Sequence, residues 1–151
     1  MDRRDTVSRL AVPLLLGLLS LAMPAAANEQ LVLIVGARSE LTPPGSAAVR
    51  RLFLGLTVTR ESHALHPLLN ESDPHIKEVF LQNVVSMSDL AYDRRILQLT
   101  NQEGRHPPPA YKDKERLIRS LAEDPDAVSY AWSRDVAADA RVKVLRVLWS
   151  D

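Results

Sequence analysis

Apolar positions along this chain follow two rhythms, short unbroken runs and helical stripes, and the two alternate. LVLIV, Leu31 to Val35, is continuous and rich in Val and Ile before Gly36, the pattern of a strand covered on both faces. Val49, Leu52, Phe53 and Leu56 then recur at i, i+3, i+4 and i+7, which is one apolar stripe of a helix. Thr42-Pro43 offers a cap and a first helical residue, and Gly55 a stop. Arg50 and Arg51 fall off the stripe. The stretch VRRLFLGLT therefore predicts a helix end with two arginines facing water, not a basic recognition patch.

Ala64 to Leu69 is a short apolar segment broken by Pro67. It suits a strand on a sheet edge, because proline has no N–H for a ladder. Asp73-Pro74 repeats the cap-and-proline signal, and Ile76, Val79, Phe80 and Val84 follow at helical spacing. Ser88 caps another predicted helix, with Leu90, Ile96 and Leu97 inward and Arg94-Arg95 outward. After the proline loop His106 to Ala110, Asp113 opens a helix carrying Leu117, Ile118 and Leu121. Asp124, ahead of Pro125, is pushed out of helical geometry and ends it. AVSYAW, Ala127 to Trp132, reads as a strand with Tyr130 and Trp132 on one face, in the core. DVAADA is a short helical turn, and VKVLRVLW, Val142 to Trp149, a last strand. Strands and helices alternating in this way predict an α/β fold: a single three-layer domain with a mostly parallel sheet.

The first 27 residues stand apart from that pattern. Arg3, Arg4 and Arg9 precede an apolar run at residues 11–23, and Ala25-Ala26-Ala27 precedes Asn28, the three-part layout of a secretory signal peptide. An uncleaved anchor is the alternative, but the run is short of the roughly 20 residues that a spanning helix needs. The expected division is a signal peptide at 1–27 and one domain at 28–151, in the periplasm or secreted, with no membrane span after cleavage. The leader holds three Arg and two Asp, which leaves 16 basic and 17 acidic residues in the domain. That balance gives no electrostatic argument for a nucleic acid partner. With no cysteine in the chain, an exported domain has only its core to hold it.

Candidate chemistry is sparse. No Gly-rich phosphate loop or Gly-x-Ser-x-Gly elbow is present, and no carboxylates are visibly paired in an apolar setting, so the chain reads as no enzyme and as needing no cofactor. His63 and His66 in HALH lie on opposite faces of a strand, with no ligand pattern around them for a metal. Arg38 and Ser39 follow the first strand, where open α/β sheets bind ligands, and an arginine there can take an anion bidentately. Arg105 occupies a second such loop. Asn70-Glu71-Ser72 is a glycosylation sequon, relevant only in a glycosylating host.

Four segments in order resemble phosphate-type periplasmic solute-binding proteins. LTPPGSAAVRRLFLG, Leu41 to Gly55, is similar to a short helix with a basic–apolar–Phe–Leu–Gly end near the start of the family's second lobe. SDPHIKEVF, Ser72 to Phe80, stands where the family has a Gly-Ser-Thr turn opening a helix with a Phe. GRHPP, Gly104 to Pro108, resembles its Gly-then-Pro loop, and EDPDAVSYAW, Glu123 to Trp132, its Pro-Gly-Ala-Ile-Gly-Tyr strand entry. The resemblance spans Leu31 to Val147. It implies one lobe of a type 2 periplasmic binding protein. It also implies a small anion such as phosphate as ligand and a transporter or envelope protein as partner.

In that family the turn holds an anion on free N–H groups at a helix start. Ser72-Asp73-Pro74-His75 replaces it here and puts a carboxylate at that point; Ser72 and His75 remain as anion contacts if Asp73 turns away. The Gly before the family's Tyr is Ser129. The two functions implied are delivery of an anion to an ABC transporter, or an accessory interaction domain that kept the fold without the ligand. The leader itself is testable: the exported protein should begin at Asn28, within a residue or two, by N-terminal sequencing or intact mass, and retention of Met1 would overturn the assignment.

Overall fold

The computed structural model describes residues 28–151; the expected signal peptide lies outside the described residues. Strand β1, Gln30–Gly36, is the centre of the domain. Its side chains alternate between two cores. Leu31, Leu33 and Val35 join one with Val49, Phe53, Ile76 and Phe80. Val32 and Ile34 join the other with Leu117, Ile118, Leu121 and Val136. Each of these five β1 residues is at most 2% exposed. This is why the run carries no polar residue: neither face meets water.

Helices α1 (Ser46–Phe53), α2 (Pro74–Phe80) and α3 (Asp89–Glu103), with a π-helical turn at Leu81–Val85, cover one face. α4 (Lys114–Glu123) and α5 (Ser133–Val136) cover the other, which gives the expected three layers.

The central sheet has the order β4-β7-β1-β8, where β4 is His66–Pro67, β7 Ala127–Trp132 and β8 Val142–Ser150. β4 is parallel to β7, and β1 is antiparallel to both β7 and β8. Three of the four strands thus run one way, and the reversed strand is β1, in the middle, so the sheet is mixed, with two of its three pairings antiparallel rather than mostly parallel. The short pieces β2 (Thr59–Arg60) and β3 (His63–Ala64) form a hairpin through Glu61 and Ser62, both at positive φ. β5 (Leu69–Asn70) pairs in parallel with β6 (Ala110–Tyr111). β4 is an edge strand, and its ladder uses the N–H groups of His66 and Leu68, on either side of Pro67. Among the described residues no helix is long and apolar enough to cross a membrane.

The caps at Asp73, Ser88 and Asp113 form as expected, each side chain accepting a backbone N–H two or three residues on. Three further expectations are corrected. α1 does not start at Thr42-Pro43 but after Gly45, because Pro44 keeps Pro43 out of the helical region; Thr42 instead accepts a hydrogen bond from Arg60. The short helix after β7 forms over Ser133–Val136, two residues ahead of DVAADA. The inward face of α3 is Tyr92 and Leu99 with Ile96 half-buried, while Leu90 and Leu97 are 61% and 60% exposed. The tyrosine decides that rotation: its ring is buried and its hydroxyl donates to Phe53 O at 2.7 Å, tying α3 to the end of α1. Two stripes compete along this helix, and the one with an aromatic ring and a buried hydrogen bond wins.

At the end of α1, Phe53 meets Phe80 edge-on at 4.7 Å and Tyr130 at 5.7 Å, while Leu54 caps the helix and Gly55 takes φ +80. Arg51 is exposed as expected. Arg50 is not simply wet: its Nε donates to Val85 O at 2.8 Å, a carbonyl in the last turn of the π-helical segment. Phe53→Ala should therefore cost about 3–5 kcal/mol, Arg50→Ala about 1 kcal/mol through the lost hydrogen bond, and Arg51→Ala less than about 0.5 kcal/mol. Denaturant melts check the order, and equal losses at all three positions would mean a different buried face.

Candidate functional site

The start of α2 is where the resemblance puts the anion turn. β5 delivers Asn70 to it, and Asn70 is 2% exposed. Its Nδ2 donates to Tyr130 O at 2.9 Å on β7. Its Oδ1 accepts from both the N–H and the hydroxyl of Ser72, at 3.1 and 2.6 Å. The Ser72 hydroxyl is thus turned back into the protein. Asp73 then caps α2, with Oδ1 accepting the His75 N–H at 2.9 Å. Its second oxygen lies 3.5 Å from the indole Nε1 of Trp132. The exposed His75 ring tilts over Trp132 at 5.7 Å, and the Arg134 guanidinium stands 5.6 Å from the same indole. The positive end of the α2 dipole faces a carboxylate of the chain itself, which is the charge it stabilises.

Beneath the turn the packing is tight. Tyr130 stacks on Phe80 at 3.7 Å with rings 5° apart and donates its hydroxyl to Asn70 O at 3.0 Å; burial pushes its phenol well above the ordinary tyrosine range. Tyr130 and Trp132 share a face in the core, as expected. Ser129 is fully buried and donates to Leu68 O at 2.7 Å.

Beside α2 runs an open groove of about 620 Å³ whose charged lining is Glu71, Glu78 and Asp89 against Lys77 and Lys112. Lys77 contacts two carboxylates, Glu71 at 3.0 Å and Asp89 at 2.8 Å. Burial works against its charge, but hydrogen bonds to Asp89 and Glu71 outweigh it and hold its pKa above the ordinary lysine value. Three carboxylates against two ammonium groups leave this groove acidic, and its most enclosed cation is already neutralised.

The remaining predicted site residues lie elsewhere. Because β1 is reversed, with Val35 opposite Val128 and Leu31 opposite Trp132, its carboxyl end sits at the amino end of β7. Arg38 and Ser39 are therefore at the opposite end of the sheet from Ser72 and His75. Arg38 donates to Ala122 O at 3.1 Å, at the end of α4. Ser39, 1% exposed, donates to Pro125 O at 2.7 Å. Arg105 donates to Gly55 O at 3.0 Å and pairs with Glu103 at 2.7 Å. The fold brings Ser72 and His75 together, and Arg38 with Ser39, but does not gather the five. His63 and His66, on neighbouring short strands, pair with Asp126 at 3.4 Å and Asp124 at 2.7 Å, and among the described residues no group of three or more His, Cys, Asp or Glu side chains could hold a metal.

Asn70 was missed in the sequence except as a sequon. Its signal is weak, since nothing local marks an asparagine as the hub between two strands and a turn.

No protein-family model matches the sequence, and no curated protein matches it significantly. Solved structures do match the fold. An ABC-type phosphate transport receptor from Vibrio cholerae superposes with a TM-score of 0.56 at 11% identity, over 79% of this chain and 46% of that one. A possible phosphate binding protein from Planctomyces limnophilus gives 0.56 at 12%, over 79% and 41%. PstS from Borrelia burgdorferi gives 0.51 at 10%, over 78% and 47%. The domain has the α/β fold of part of a phosphate-type substrate-binding protein, and it spans less than half the length of each of these chains.

The hub role of Asn70 predicts an asymmetry between neighbours. Asn70→Ala removes three hydrogen bonds and leaves Tyr130 O buried without its partner, and should cost about 1–3 kcal/mol. Asp73→Gly should cost only a few tenths of a kcal/mol, since Gly is itself a fair cap. Thermal or denaturant melts of both variants check this; a larger loss at Asp73 would place the structural weight on the cap.

Proposed function

We propose that this chain is an exported, non-enzymatic domain with a solute-binding-like fold, acting as an accessory or interaction module of the cell envelope. In this reading it is not a high-affinity phosphate receptor. The observation that carries it is the Asp73 carboxylate on the α2 N-terminus. An incoming anion there would meet a negative charge, a Ser72 hydroxyl already bonded to Asn70, and an acidic groove alongside. Displacing the carboxylate would also forfeit the cap.

The fold likeness to proteins described as phosphate receptors favours a second reading, delivery of phosphate or another small anion to an ABC transporter. Its contacts would be Ser72 and His75 with Asp73 rotated away, or the separate loops of Arg38, Ser39 and Arg105. Calorimetric titration with phosphate at low salt separates the two. The first reading expects a Kd at or above about 1 mM, equivalent to about −4 kcal/mol, and tighter binding by Asp73→Gly. Micromolar binding by the unmutated protein would establish the second.

A further inference from the structure

We draw no further inference here: the strongest candidate, the apolar groove of about 550 Å³ between the end of α1, the edge strand β4 and the proline loop His106 to Ala110, carries none because nothing in the structure shows what covers it.

Discussion

The burial of β1 on both faces and along both edges is the constraint on which the rest depends. A strand in the middle of a sheet must find a partner for each buried backbone donor, and from Leu31 to Gly36 every residue of this one is buried. β7 and β8 satisfy its edges, one on each side, and two separate groups of helices satisfy its faces. Gly36 closes the strand against α4 so tightly that a Cβ there would stand 2.1 Å from Leu121 O. The loop that follows is pinned in turn by Ser39 to Pro125 O and by Lys143 to Ser39 O. The arginine and serine after the strand thus serve its closure.

Electrostatics at the other end of the sheet follow from the same economy of partners. A helix start has N–H groups that need acceptors. In an anion-binding turn a ligand supplies them; here Asp73 does. The carboxylate is held near Trp132, the hydroxyl beside it is held by Asn70, and Asn70 is held by the strand that carries Tyr130. The Asn70 carboxamide, the Ser72 N–H and hydroxyl and the His75 N–H all find partners within the chain and need no guest. The nearest lysine is bracketed by carboxylates, which removes the other usual source of attraction for an anion.

Local chemistry made much of this legible in the sequence. LVLIV, the caps at Asp73, Ser88 and Asp113, the proline in the edge strand and the fully buried AVSYAW all announce themselves through residue type and spacing. What escaped are features decided by tertiary partners. The rotation of α3 depends on where the Tyr92 hydroxyl finds Phe53 O, and two equally spaced stripes conceal it. The reversed direction of β1 depends on which strands flank it, and periodicity says nothing of direction. That reversal is why Arg38 and Ser39 sit at the wrong end of the sheet to join Ser72 and His75. Arg50 looks like any surface arginine until Val85 O is placed beside it.

The buried position of Asn70 also sets a choice of production host. Asn70-Glu71-Ser72 is an acceptor sequence for oligosaccharide transfer, a reaction that needs the carboxamide nitrogen free. In the folded domain that nitrogen is inside, donating to Tyr130 O, and no glycan could be accommodated there. A eukaryotic secretory pathway, which modifies chains as they enter the lumen, would therefore set glycan transfer in a race with folding. Every chain modified first would be barred from closing β5 onto β7, so a secreted yield from such a host would divide into a folded unmodified fraction and a glycosylated fraction unable to complete its core.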